Sequence, residues 1–264
     1  MSEISGAFPH YVLDGQEDGP VVLLSNSLGS DLRMWDPQVG PLVSAGFRVL
    51  RYDHRGHGGS PAPPGPYTLD DLGADLTGLL DRLGVPRAHL AGLSLGGMVA
   101  MHVAARAPER VASLVLCCTS AKLGPPSRWS DRAAAVRAGG TTSIADGAIG
   151  RWLTPGYAAA HPDTVAVLRE MIETTSDEGY ASCCGVIERM DQLDALGRIS
   201  APTLVISAAE DQATPPEHGR RIADGIRGAR LEIVPGAAHL GSFEQPERFG
   251  ELMVQHFRQS GDPR

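Results

Sequence analysis

No stretch of this 264-residue chain strings together 18 apolar residues, the length at which a helix begins to span a bilayer, so no membrane span is expected. The segment Met1 to Pro9 lacks the basic stretch and apolar core of a secretory signal. Cationic surface is scarce as well. Lysine occurs once, at Lys122, the arginines form no cluster in the sequence, and the net charge is −8. A nucleic-acid partner calls for a basic face, so no such partner is expected. Cysteine is limited to two adjacent pairs, Cys117-Cys118 and Cys183-Cys184. Neither pair has metal-site spacing, and neighbouring cysteines rarely bond to each other, so reduced thiols in a cytoplasmic protein are expected. No repeat or low-complexity tract is visible, and nothing in the sequence bears on oligomeric state.

The apolar share of 42% and charged share of 20% are those of an ordinary globular chain with a sizeable core. The early pattern alternates strands and helices. Val21–Asn26 and Phe47–Asp53 are short apolar runs that end in polar residues, as buried parallel strands do. Leu69 to Leu83 places leucine at 69, 72, 76, 79, 80 and 83, which predicts a helix with one apolar face, capped by Thr68 or Asp70. His89–Leu93 reads as a strand, Met98–Ala107 as a helix and Val111–Cys118 as a strand. The order implies a mostly parallel sheet with helices on both faces. The alternation stops between about Ala121 and Arg198, where the chain is helix-prone. Strands return at Thr203–Ala208 and Arg230–Val234, and a helix, Pro246–Phe257, follows. The expected organisation is therefore an α/β core of residues 1–120 and 199–264, with a helical cap of residues 121–198. Such an insert usually covers the crevice at the carboxyl ends of the strands.

Gly92-Leu93-Ser94-Leu95-Gly96 is a G-x-S-x-G nucleophile elbow, with a strand before it and a helix after it. The tight turn needs small neighbours and lifts the serine hydroxyl above the sheet. A serine hydroxyl is a weak nucleophile without a base, and in elbow enzymes an acid and then a histidine follow in chain order. Asp211 stands just after the strand Thr203–Ala208, and His239 just past the strand ending at Val234. Both loops lie at the same sheet edge as Ser94. His239 is expected to take the serine proton, and Asp211 to orient the imidazole. Glu210 is the rival acid, and Asp211 is preferred because it directly precedes the turn into Thr214-Pro215. His54 and His57 are read as loop residues. The oxyanion needs backbone donors. Leu95 supplies one N–H, and Leu28, in the loop after Val21–Asn26, is assigned the second.

Tyr52-Asp53-His54-Arg55-Gly56-His57-Gly58-Gly59-Ser60, together with the elbow, resembles the α/β-hydrolase superfamily over about Tyr11 to Phe257. Three further stretches resemble the 3-oxoadipate enol-lactonases within it. They are Ser25-Asn26-Ser27-Leu28-Gly29 with Asp31-Leu32-Arg33-Met34-Trp35, then Arg151-Trp152-Leu153-Thr154-Pro155-Gly156-Tyr157, and then Gly179-Tyr180-Ala181-Ser182-Cys183-Cys184. Two segments depart from that pattern: Ala208-Ala209-Glu210-Asp211, where Gly-Asp-x-Asp is common, and Leu240-Gly241-Ser242-Phe243, where Ile-Pro is common. The resemblance implies a α/β-hydrolase fold and hydrolysis of a carboxylated enol-lactone in aromatic-compound catabolism, without metal or organic cofactor. A substrate carboxylate needs a cation, for which Arg151 is the candidate, with Trp152 or Trp35 as an apolar wall. Arg128-Trp129 is a second such pair. The alternative is a carboxylesterase or perhydrolase-type enzyme acting on other small esters or lactones. A ligand-binding relative without catalysis is disfavoured by the intact triad, and a dehalogenase or epoxide hydrolase by serine at the elbow.

Overall fold

The computed structural model describes residues 8–261. Seven strands form one sheet: β1 (Tyr11–Asp14), β2 (Val21–Ser25), β3 (Arg48–Tyr52), β4 (Ala88–Leu93), β5 (Val111–Cys117), β6 (Thr203–Ala208) and β7 (Arg230–Val234). Their spatial order is β1-β3-β2-β4-β5-β6-β7; β1 runs antiparallel to β3, and every other pairing is parallel. The sheet is thus the mostly parallel one that the alternating pattern implies. The edge strand β1 has no counterpart in the sequence reading. Its four residues are only half-buried, and their extended state depends on pairing Tyr11 to Asp14 with Tyr52 to Val49.

Helices α1 (Asp36–Ser44), α2 (Leu69–Arg82) and α3 (Leu95–Arg106) connect the early strands. Between β5 and β6 lie α4 (Pro126–Gly139), α5 (Ala145–Trp152), α6 (Pro155–Ala160), α7 (Pro162–Thr174) and α8 (Asp177–Arg189). The later connections are α9 (Pro216–Gly225), α10 (Gly241–Glu244) and α11 (Pro246–Gln259). Thr68, not Asp70, caps α2. Its hydroxyl accepts from the Asp71 N–H at 3.1 Å, and the Asp71 carboxylate accepts from the Thr68 N–H at 2.7 Å, which satisfies two amides left open at the helix start. Helix α1 escapes the sequence reading because Pro41 lies inside it. Proline removes one intrahelical hydrogen bond, and the packing of α1 on α11 offsets that loss.

Parallel strands covered on both faces are apolar at every position, and they divide their side chains between two cores. On β2, Val21 and Leu23 join Leu50, Leu90, Leu114 and the inner faces of α2 and α3. Val22 and Leu24 point the other way, to Val49, Leu93 and the α1 and α11 residues Leu42, Met253 and Phe257. Both faces of the sheet are therefore filled, and the loops at its carboxyl edge hold Ser94, Asp211 and His239. The strand order reverses around β2, which leaves a crevice at that edge. The insert α4–α8 is anchored beside it. A Cβ on Gly179 of α8 would collide with the backbone of Gly56 in the loop after β3, so glycine on both sides permits this close approach. Among the described residues no helix is long and apolar enough to cross a membrane.

Candidate active site

Ser94 sits between β4 and α3 with φ 55° and ψ −113°, a conformation that costs an L-residue about 1–3 kcal/mol. Neighbouring contacts hold it there. Its N–H donates to the Cys117 carbonyl at 3.0 Å, and its carbonyl accepts from the Thr119 hydroxyl at 2.6 Å. The elbow glycines are needed for space: a Cβ on Gly92 would strike the Gly96 carbonyl, and one on Gly96 would strike the Ser25 carbonyl. The sharp turn thus packs directly on the end of β2, beside the loop that holds Leu28.

Asp211 follows β6 and is buried. It accepts from His239 Nδ1 at 2.8 Å, from the N–H groups of Ala213 (2.7 Å) and Thr214 (3.0 Å), and from the Thr214 hydroxyl (2.7 Å). Burial, the largest single influence, acts to raise its pKa. The charge and hydrogen bond of His239 and the Thr214 donors outweigh it, so the carboxyl lies below its ordinary value and stays ionised. Glu210 is exposed. Of the two adjacent carboxylates, Asp211 is the one that reaches His239. With Nδ1 committed to Asp211, Nε2 is the ring nitrogen left for proton exchange. Ser94 and His239 line one cavity, together with Ser27, Leu28, Ala213 and Thr214.

The loop after β2 is tightly braced. The Ser27 N–H donates to the Met34 sulfur at 3.1 Å, and the Ser30 hydroxyl donates to the same sulfur at 3.0 Å. The Asn26 side chain donates to the Tyr52 carbonyl at 2.8 Å, and the Asn26 backbone carbonyl lies 3.1 Å from His54 Nε2. Asp53 accepts from the Leu32 N–H at 2.7 Å and from the Gly59 N–H at 2.9 Å. Among the described residues the Leu28 N–H donates to no other group. Leu95 opens α3, where a helix leaves its first N–H groups without intrahelical acceptors. His54 and His57 belong to the loop after β3, as read from the sequence, but they are fully buried. Burial, followed by the neighbouring His57, lowers the pKa of His54 to about 3, so it is a neutral brace beneath the loop.

The outer wall of the cavity comes from the insert: Arg128, Trp129 and Arg132 of α4, Arg151 and Trp152 of α5, and Tyr180 of α8. Arg128 and Arg132 are four residues apart and share a helix face. Among the described residues no ion pair joins Arg128, Arg132 or Arg151 to a carboxylate. Burial, and then the charges of Arg132 and Arg128, lowers the pKa of Arg151 to about 10, which still leaves it cationic near neutrality. The indole N–H of Trp129 is buried without a partner. The expectation for Trp35 needs correction. It is fully buried in the core between the sheet and α1, beside Met34 and Leu42, and is not part of the cavity wall. Its side chain is held by the apolar packing that follows β2, so Trp152 and Trp129 form the aromatic wall instead. Arg132, Tyr180 and Thr214 were not singled out in the sequence. The signals that could have found them are the i, i+4 spacing of Arg132 from Arg128, the place of Thr214 in the turn after Asp211, and the place of Tyr180 in the stretch Gly179–Cys184.

Among the described residues no group of three or more His, Cys, Asp or Glu side chains is placed to hold a metal. The four cysteines are free and buried, and burial raises every one of their thiol pKa values. The site is therefore one of serine hydroxyl, imidazole, carboxylate, and guanidinium groups without carboxylate partners.

The chain is similar to known proteins over most of its length. The chain is 40% identical over 244 residues to 3-oxoadipate enol-lactonase 2 of Acinetobacter baylyi, covering 92% of this chain and 91% of that protein. The crystal structure of the enol-lactonase from Burkholderia xenovorans superposes with a TM-score of 0.93 at 41% identity, over 95% of this chain and 96% of that one. A malate-bound thermophilic esterase from Thermogutta terrifontis superposes with a TM-score of 0.89 at 34% identity, over 96% and 93% of the two chains. A family model described as alpha/beta hydrolase fold matches residues 20–246, which take in the sheet from its second strand, the elbow serine, the insert and the histidine loop. On this sheet order, this elbow and these matches, the chain belongs to the α/β-hydrolase fold family.

Proposed function

We propose that this chain is a carboxylic ester hydrolase that opens a small lactone bearing a free carboxylate, with 3-oxoadipate enol-lactone as the substrate. The observation that carries this reading is the cavity wall. Three arginines without carboxylate partners surround a cavity that also contains Ser94 and His239. Cations held close together in a half-buried site repel one another, and an anionic ligand relieves that repulsion. A guanidinium can grip a carboxylate through two parallel hydrogen bonds and so fix which way the ring lies. The names of the enol-lactonase relatives support the same substrate class.

Catalysis then follows from the side chains. His239 takes the Ser94 proton as the serine oxygen attacks the lactone carbonyl. The N–H groups of Leu28 and Leu95 receive the oxyanion, and the braced loop after β2 holds the first of these donors in place. Collapse of the tetrahedral intermediate breaks the ring C–O bond. The departing oxygen is an enolate, a better leaving group than an alkoxide. The His239 imidazolium gives its proton to the departing oxygen, and tautomerisation of the resulting enol gives a ketone, which draws ring opening forward. The acyl chain stays attached to Ser94. His239, neutral again, then deprotonates a water that attacks the ester, and it returns this proton to the Ser94 oxygen as the acyl chain leaves as a second carboxylate. Asp211 keeps the imidazole oriented throughout and stabilises its charged form. The helices of residues 121–198 act in this reading as a cap that supplies the specificity wall.

The test compares the enol-lactone with p-nitrophenyl acetate in wild type and Ser94→Ala. Wild type should favour the lactone, and Ser94→Ala should lose several orders of magnitude on both substrates while remaining folded. A wild-type preference for the neutral ester would favour the second reading, a general esterase, which the Thermogutta terrifontis relative supports.

A further inference from the structure

The loop that carries His239 is fastened to the insert through one buried carboxylate. Glu244, in α10, is 8% exposed and has no basic partner among the described residues. Its Oε1 accepts from the Thr154 N–H at 2.9 Å and from the Thr154 hydroxyl at 2.6 Å. Its Oε2 accepts from the Ala238 N–H at 2.6 Å. Thr154 lies two residues past Trp152, and Ala238 immediately precedes His239. A second link closes the same corner: the Leu240 N–H donates to the Trp152 carbonyl at 2.8 Å. The two peptide N–H groups flanking His239 therefore both answer to the end of α5, one through Glu244 and one through the Trp152 backbone.

The donor pattern requires a carboxylate. All three groups facing Glu244 are donors, and an ionised carboxylate is acceptor-only. A carboxamide would turn an N–H₂ group toward either Thr154 or Ala238, donor against donor. Each arm has a separate consequence. The Ala238 arm sets the height of the loop beneath the imidazole. The Thr154 arm sets the end of α5, and with it Arg151 and Trp152.

We infer that Glu244 is a positioning residue that sets the general base and the specificity wall together, so that a displacement of the Arg151–Trp152 corner is transmitted to His239. This rests on the catalytic reading of Ser94 and His239. It does not depend on which ester is hydrolysed.

The experiment follows Ser94 directly, through its rate of reaction with an alkyl fluorophosphonate, in Glu244→Gln and Thr154→Val. Steady-state kinetics on the enol-lactone and on p-nitrophenyl acetate are measured alongside. Misplacing a catalytic group by about 1 Å can cost roughly a hundredfold in rate. Glu244→Gln should therefore slow phosphonylation at least about tenfold and lower kcat on both substrates. Thr154→Val removes the hydroxyl arm, and with it the cap bond that the Thr154 hydroxyl accepts from the Tyr157 N–H at 3.3 Å at the start of α6, but keeps the Thr154 N–H arm to Glu244. It should raise KM for the carboxylated lactone several-fold and also slow phosphonylation, by less than Glu244→Gln does. A Glu244→Gln protein that loses thermal stability but phosphonylates at the wild-type rate would reduce Glu244 to a structural residue. If that variant does not fold, Thr154→Val still decides, since a raised KM for the lactone with phosphonylation at the wild-type rate, or no change in either, overturns the coupling. Absence of phosphonylation in wild type would instead refute the nucleophile assignment, and a poor lactone rate with normal phosphonylation would refute only the substrate.

Discussion

Replacing Arg151 by methionine removes a charge from the cavity wall and keeps most of the length of the side chain. Two effects of opposite sign follow. Two unit charges 4 Å apart attract by about 4 kcal/mol at an effective dielectric constant of about 20, before desolvation is subtracted. Charge-assisted hydrogen bonds measured in proteins retain about 1.5–3 kcal/mol of this. Arg128 and Arg132 remain in the wall of Arg151→Met and recover part of the interaction. The loss for the carboxylated lactone should therefore fall near the lower bound, about 1.5–2 kcal/mol, or roughly 10- to 30-fold in kcat/KM. A neutral ester has no carboxylate to lose and should change less than about threefold, within the scatter of a single surface-like substitution. Stability should move the other way. Burial and the neighbouring guanidinium groups disfavour the Arg151 charge, so its removal should leave Tm unchanged or raised. The assay is the ratio of kcat/KM values for the enol-lactone and p-nitrophenyl acetate, with Arg128→Ala as the parallel variant. Equal losses on both substrates would refute the carboxylate role. A selective loss in Arg128→Ala alone would move the carboxylate to α4.

Asp211→Asn should reduce kcat by several orders of magnitude while Glu210→Gln changes it little, because only Asp211 reaches His239; the reverse result would exchange their roles. Because the Asp211 pKa is lowered on folding, its contribution to stability is complete above the ordinary value of 3.8 and is lost as pH falls below it. Acid unfolding of Asp211→Asn, followed by circular dichroism, should accordingly depend less on pH below about 4. Gly96→Ala should yield insoluble or inactive protein, since its methyl group would meet the Ser25 carbonyl; a soluble, active variant would show that the elbow can relax. Dialysis against EDTA should leave the rate unchanged, and activity restored by a particular metal would reveal a metal requirement.

Much of the site was legible because its residues sit at strand ends, and strand ends are marked by local signals. Ser94 is identified by the elbow glycines, and Asp211 and His239 by the apolar runs that stop just before them. The preference for Asp211 over Glu210 rested on the turn into Thr214-Pro215. That turn supplies two of the N–H donors and the hydroxyl that hold the Asp211 carboxylate. The expectation for Trp35 went astray for a physical reason. Tryptophan in a polar loop is equally able to face a cavity or to enter a core, and the choice depends on whether neighbouring layers leave a gap of its size. Here the gap lies between α1 and the sheet. Strand β1 and helix α1 were overlooked for a related reason, since one needs β3 as a partner and the other needs α11.

By itself the sequence determined the elements whose signals are periodic or local. These are the parallel strands, the amphipathic helix α2 and the elbow, with Asp211 and His239 each marked by the apolar run that ends shortly before it. Such features follow from side-chain spacing and backbone sterics within about a dozen residues. Only the tertiary structure decided which arginines share a wall, which tryptophans face the cavity, and that Glu244 joins the insert to the histidine loop. Arg132 and Arg151 are 19 positions apart, and Thr154 and Glu244 are 90 apart. Contacts over such distances are set by how rigid layers pack, because burial fixes an apolar face but leaves the partner of each polar group to be chosen by whatever the packing brings within hydrogen-bond reach.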